Sequence, residues 1–485
     1  MIAAVPLALL LALAAAPLLI LLGNVFSAGI AIDAASLGPA LAFAAGGATV
    51  ATIVGGVLGA LAGTREYPGR RWLIGLSVVL IAAPPAFWWI GALRVPLAWG
   101  NAAGAGMAAL VAGLALSPIA LLMVVAALRE LPSNVYEAAR VSLPPALRVK
   151  AVLLPLLTSA LAGAFFLAVI FLLGESELPF LFGFRTVMTD VVTTFSQTFD
   201  VERTLPLVVP LLLVILVLGI AAGRPLVRTV LTSSRGGRGV VRTRAAATLS
   251  LCAAVPVVFL ALSLAGYAAA AITGLSVRQS VPSLNAATAL VSIAEPVAVA
   301  WIALSLAIAC AYPARRSRAL GILLWTGLLL FCVPPAIYAI GWLRMGQVLG
   351  GVTMPPIAAH ASRAVGLAAM GFAIGYARVP ASLEDAARLV PVSPAKRAFR
   401  FVLPLLLPSL AASAALIAAL TYADRDVASL LLSPGASRLT LDFYLASANA
   451  PSSRIGVLAV TVLAGAAAAV MLATAGPIAL WRRRG

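Results

Sequence analysis

Two acidic side chains stand at the same place in a pattern that the chain repeats. Pro132 precedes Glu137-Ala138-Ala139-Arg140, and Pro380 precedes Asp385-Ala386-Ala387-Arg388 at the same spacing. The prolines disfavour helix continuation. Asn134 and Ser382 are good N-caps, and Glu137 and Asp385 fall three residues later, where a carboxylate answers the cap and the positive helix end. A short new helix is predicted at each, ended by Pro144-Pro145 in the first copy and by Pro391 and Pro394 in the second. Capping accounts for the acid. It does not account for the recurring Ala-Ala-Arg, the basic stretch behind it (Arg148, Lys150; Lys396, Arg397, Arg400) or the Leu-Pro step after that (Leu154-Pro155; Leu403-Pro404). Two such loops, 132–150 and 380–400, on one side of a membrane look like handles for a partner.

Little else in the chain suggests chemistry. No paired carboxylates, nucleophile with base, or ligand cluster is legible, so neither a catalytic residue nor a metal site is expected. Cys252, Cys310 and Cys332 lie singly in apolar segments, without a C-x-x-C pair. His360, the single histidine, reads as structural. Two charges stand inside apolar segments, Glu295 and Arg363. Glu295 lies 17 residues before Tyr312 and Arg363 lies 15 before Arg378. At the helical rise these are depths of about 25 and 22 Å, so the two are expected to face each other as an intramembrane pair or to line a pathway.

The elements that carry these residues follow from composition. The chain has 485 residues, 63% hydrophobic and 10% charged, with a mean hydropathy of +1.10; a soluble domain is about 25% charged. This is the composition of an all-α polytopic membrane protein. Twelve runs are long enough to span: 3–22, 38–63, 72–93, 103–128, 151–174, 204–222, 245–268, 285–311, 319–342, 353–377, 398–421 and 456–480. The net charge of +18 gives no case for nucleic acid, because its arginines crowd alternate loops. Arg65, Arg70 and Arg71, the cluster from Arg224 to Arg244, and Arg482 to Arg484 are placed in the cytoplasm by the positive-inside rule. Acid-bearing loops around Asp190 and Asp442 then face outward, and both termini are cytoplasmic. The first segment is read as a retained helix rather than a cleaved leader.

The halves resemble each other. Pro84 to Arg94, PPAFWWIGALR, matches Pro334 to Arg344, PPAIYAIGWLR, and Tyr67-Pro68-x-Arg70-Arg71 matches Tyr312-Pro313-x-Arg315-Arg316, all at offsets between 245 and 250. This predicts a first repeat over 1–223, a cytoplasmic linker over 224–244 and a second repeat over 245–485. With six spans each, the tandem repeats share an orientation and are related by a pseudo-two-fold axis along the membrane normal.

At this point the chain resembles the transmembrane permease subunits of bacterial ATP-binding-cassette importers, whose coupling loop has an E-A-A-x-x-x-G core and a downstream I-x-L-P. The resemblance is to the fused double permeases of the iron(III) group, which Glu177-Leu178-Pro179 and the aligned run from Asp426 to Leu432 also resemble. The family glycine is replaced by Leu143 and Pro391, and the first copy is one residue shorter to its Leu-Pro step. The resemblance implies a multi-pass protein of the bacterial inner membrane that is not itself an enzyme. It further implies that Glu137, Ala138, Ala139, Arg140, Asp385, Ala386, Ala387 and Arg388 couple to a separate cytoplasmic ATPase homodimer. The chain has no G-x-x-x-x-G-K-[ST], so ATP and Mg would be bound by that partner and no cofactor by this chain. An extracytoplasmic solute-binding protein would deliver the solute, ferric iron first, with thiamine, phosphonates and polyamines as related alternatives. Two other classes stay open: a twelve-helix secondary transporter, and a non-transporting scaffold or degenerate homologue.

Overall fold

The computed structural model describes residues 4–23, 33–67, 70–83, 85–92, 104–130, 133–232, 243–244, 263–269, 272, 285–315, 317, 320–433, 435–450 and 452–482. In hydrocarbon each backbone N–H and C=O must be satisfied within its own segment, so apolar runs become helices. The first part holds α1 (Val5–Gly23), α2 (Ala34–Thr64), β1 (Arg65–Glu66), α3 (Arg70–Ile81), α4 (Pro85–Ala92) and α5 (Ala105–Glu130). There follow α6 (Ser133–Ser142), α7 (Pro145–Arg148), a π-helical turn π1 (Val149–Leu153), α8 (Leu154–Leu173), α9 (Glu177–Phe182), α10 (Val187–Thr198) and α11 (Val201–Thr232). β2 (Thr243–Arg244) pairs parallel with β1. After a described helical stretch α12 (263–269) come α13 (Ala286–Ala314), α14 (Leu320–Cys332), α15 (Pro335–Val348) and α16 (Pro356–Tyr376). The chain closes with α17 (Ala381–Arg388), α18 (Pro394–Arg397), π2 (Ala398–Val402), α19 (Leu403–Ala423), α20 (Asp426–Leu431), α21 (Leu439–Asn449) and α22 (Ser452–Arg482). From α6 to α11 and from α17 to α22 the same succession of short, π-wound and long elements occurs.

Among the described residues, eight helices are long and apolar enough to cross a membrane, and a ninth is counted if the bent pair α14 and α15 is one span. The expected twelve are not all present in that form, because proline interrupts two of them. The run 72–93 divides into α3 and α4, and the run 319–342 turns by 95° where Pro334 caps α15. Proline cannot donate the N–H that would carry the preceding helix onward. The run 245–268 lies mostly outside the described residues. Within the expected linker over 224–244, α11 continues to Thr232; residues 233–242 are outside the description, as are Pro132, Cys252, Arg483 and Arg484.

Small residues set the closest approaches, as they do where helices must pack without a hydrophobic driving force. A β-carbon on Gly55 of α2 would collide with the Ser117 carbonyl of α5, and one on Gly366 of α16 with the Gly327 carbonyl of α14. The two parts are also exchanged at their ends. α1 packs on α15 of the second part, where the Tyr338 hydroxyl donates to the Ala14 carbonyl and Gly341 lies under Pro17. Reciprocally, α12 packs on α4 of the first part. Ser263 Oγ donates to the Trp88 carbonyl (2.6 Å), Tyr267 Oη to the Phe87 carbonyl (2.5 Å), and Gly91 lies against the Tyr267 ring.

Candidate functional site

The repeated loops form the first candidate surface. α17 begins at Ala381 with Pro380 as its N-cap (φ −62°, ψ 133°), and no side chain caps it. Ser382 and Asn134, expected as caps, lie inside α17 and α6. The Pro380 carbonyl instead receives the N–H groups of Leu383 (3.1 Å) and Glu384 (3.4 Å), so the ring's fixed φ starts the helix without a capping box. Asp385 is exposed and forms an ion pair with Arg388 of its own helix (3.5 Å). Glu137, Ala138 and Ala386 are exposed, Ala139 and Ala387 are buried, and Arg140 lies in α6. One turn on, Val141 and Leu389 are 90% and 86% exposed. Each loop thus turns an acid and a bulky aliphatic outward while its second alanine seats the helix.

A second constellation stands one helix length away. α8 and α19 rise from the Leu-Pro steps and run 20 and 21 residues, roughly 30 Å. At their far ends Glu175 and Asp424 hold the N-termini of α9 and α20 in the same manner. Glu175 Oε1 accepts from the N–H groups of Glu177 (2.7 Å) and Leu178 (3.3 Å), and Asp424 Oδ1 from those of Asp426 (3.0 Å) and Val427 (3.2 Å). This brings the two short helices tip to tip. Arg425 then reaches across: Nη1 lies 2.5 Å from Glu177 Oε1, Nη2 donates to Ser176 Oγ (3.2 Å), and Nε lies 3.3 Å from Asp426 Oδ1. Its guanidinium stacks on the Tyr444 ring at 3.8 Å.

Two carboxyl groups, of Glu177 and Asp426, therefore share one guanidinium, with Glu175 close enough to feel its charge, beside a cavity of about 140 Å³ that Glu175, Glu177, Arg425 and Asp426 help to line. Burial, together with Glu175 and Asp426, outweighs Arg425 and pushes the Glu177 carboxyl up to about 8. Burial likewise pushes Asp426 up to about 6, against the pull of Arg425, and raises Glu175. Asp424 goes the other way. Burial opposes its charge, but His360, Arg363 and the Val427 N–H hold it below the usual carboxylate range.

Glu295 and Arg363, expected to face each other, are joined through intermediates instead. Glu295 Oε1 lies 3.0 Å from His360 Nδ1, and its other oxygen binds Arg438. His360 Nε2 is 3.3 Å from Asp424 Oδ2, which is 3.9 Å from Arg363 Nη1; Arg363 Nε donates to the Val333 carbonyl (3.1 Å). The result is an alternating file, Arg438, Glu295, His360, Asp424, Arg363, buried except at the half-buried Glu295. The imidazole is hydrogen-bonded through Nδ1 to Glu295, while its Nε2 only faces the Asp424 carboxylate. Equal depth was readable from residue counting. The direction in which each side chain leaves its helix was not, so Arg438 and Asp424 were missed and His360 was under-read. The signal that would have found Asp424 is its offset of 249 from Glu175, the same as that of Asp426 from Glu177.

Residues 53–224 match the family described as binding-protein-dependent transport system inner membrane component. No curated protein and no solved structure matches the chain. The matched residues contain α6 with its acid-Ala-Ala-Arg motif and the Glu175 and Glu177 side of the charged cluster. Among the described residues eight helices are long and apolar enough to cross a membrane, which makes this a multi-pass membrane protein that over residues 53–224 is similar to that transport component.

Proposed function

We propose that the chain is the fused permease pair of an ATP-driven importer, with both six-helix repeats, 1–223 and 245–485, in one polypeptide. α6 and α17 dock in the cytoplasm on a separate ATPase homodimer, and the solute arrives from an extracytoplasmic binding protein. The observation that carries this reading is that α17 repeats the exposure pattern of α6, an outward acid and aliphatic on a seated alanine, although it lies beyond the matched residues. Ferric iron is the first solute suggested by the resemblance. Among the described residues no group of three or more His, Cys, Asp or Glu is arranged to hold a metal ion, so the solute assignment rests on the resemblance alone. The test is reconstitution with the ATPase that co-purifies with the chain: uptake should require ATP and the binding protein.

The secondary transporter remains the second reading, favoured by one observation, the charged file through His360 within apolar segments. Uptake that persists without ATP and collapses with a protonophore would select it.

A further inference from the structure

The acid that ties the second coupling loop to the membrane helices is not the motif acid Asp385 but its neighbour Glu384. Glu384 is 2% exposed. Its Oε1 accepts from Arg315 Nε (3.0 Å) and Nη2 (2.6 Å), and its Oε2 from the Tyr376 hydroxyl. Arg315 follows the end of α13, donates through Nη1 to the Tyr312 carbonyl (2.8 Å) and stacks over the Tyr312 ring at 3.8 Å. Tyr376 ends α16 and stacks on Phe372, with centroids 6.0 Å apart and ring planes at 7°. One carboxylate thus fastens α17 to the ends of two long helices through a charge-assisted fork, the strong kind of hydrogen bond.

The first copy carries neither the carboxylate nor the tyrosine at the corresponding positions. Aligned on the shared prolines at an offset of 248, Glu384 corresponds to Tyr136 and Tyr376 to Leu128. The residue matching Arg315 is Arg70, whose Nε donates to the Ala62 carbonyl (2.5 Å).

We propose that Glu384 is a positioning residue that makes α17, α13 and α16 move as one body, so that the two coupling loops are mechanically unequal. The coupling part of this proposal rests on the ATPase docking proposed above; the fastening does not. The test has two arms, both on the full chain in nanodiscs. In hydrogen exchange, Glu384→Gln should speed the amides of 381–388 by about tenfold or more, the loss expected for a charge-assisted bond, and leave 133–142 unchanged. Tyr376→Phe, which keeps the ion pair, should give a smaller acceleration confined to the same amides. Unchanged exchange in both variants, or equal acceleration of 133–142, overturns the fastening. In the second arm, with the co-purified ATPase, Glu384→Gln should lower the solute moved per ATP hydrolysed while hydrolysis continues, and Glu384→Asp should recover part of it. An unaltered ratio overturns the coupling role. If no ATPase accompanies the wild-type chain, the proposed function fails, and the exchange arm still decides the fastening.

Discussion

Arg425 Nη1 sits 2.5 Å from Glu177 Oε1, and this contact joins the N-terminus of α20 to that of α9. The backbone at these two tips is built alike, but the side chains are not: the position of Arg425 in the second copy is held by Ser176 in the first. A two-fold arrangement would place two arginines or none here. A single arginine leaves the cluster with more carboxyl groups than it can neutralise, and protons make up the difference.

That excess sets a pH dependence. The Glu177 and Asp426 carboxyls are raised to about 8 and about 6, so the folded state holds protons that the unfolded chain releases near pH 4.5 and 3.8. Stability from these groups is full below the unfolded value and is lost as pH rises through the folded ones. The midpoint of thermal unfolding should therefore fall between about pH 4 and 8, and Asp426→Asn should flatten the fall. A midpoint that rises over this range would show that the cluster is fully ionised.

Reversing the charge of the exposed motif acids tests docking without disturbing the fold. Glu137 and Asp385 are exposed, so Glu137→Arg and Asp385→Arg should change stability by only about 0.5 kcal/mol. The double variant should nevertheless lose solute-stimulated ATP hydrolysis by the partner. An unchanged stimulated rate would sink the docking role.

The file through His360 predicts which pairs couple. Removing His360 leaves Glu295 and Asp424 facing each other's side of the gap, and breaking such a buried arrangement costs about 3–5 kcal/mol. A double-mutant cycle of Glu295→Gln with His360→Gln should give an interaction energy of about 1–3 kcal/mol, whereas Glu295→Gln with Arg363→Gln should be additive to within about 0.5 kcal/mol. The measurement is denaturant unfolding of each variant, and equal coupling in the two cycles would contradict the file.

Orientation is tested by labelling. In a background without Cys252, Cys310 and Cys332, cysteines at 190 and 442 should react with an impermeant maleimide added to intact cells, and a cysteine at the exposed position of Leu389 should react only after lysis. Labelling at 389 in intact cells would invert the arrangement.

Which parts of this molecule could be read from its residues follows from the range of the signal. The apolar segments and the short helices α6 and α17 are local, set by hydropathy and by Pro380 and the residues after it. Hydropathy is blind to a bend, so the 95° turn at Pro334 hid inside a run that looked like one span. The charged groups are the reverse case. Asp424, Arg425 and Arg438 lie in short connections between helices, and each also pairs with a residue far off in sequence, His360, Glu177 and Glu295 respectively, where no periodicity reaches. Glu384 was overlooked because the motif drew attention to Asp385, although only burial distinguishes two adjacent acids on one helix.

The exchange of α1 and α12 between the two parts has a consequence for how the chain is assembled. Each part keeps a helix of the other inside its own packing, with Tyr338 bonded to Ala14 on one side and Tyr267 to Phe87 on the other. This is the geometry of a domain-swapped dimer that happens to be written on one strand. A chain severed between residues 233 and 242 would still be interlocked, so two separately translated fragments should complement one another, while either fragment alone would display an unfilled groove and invite degradation.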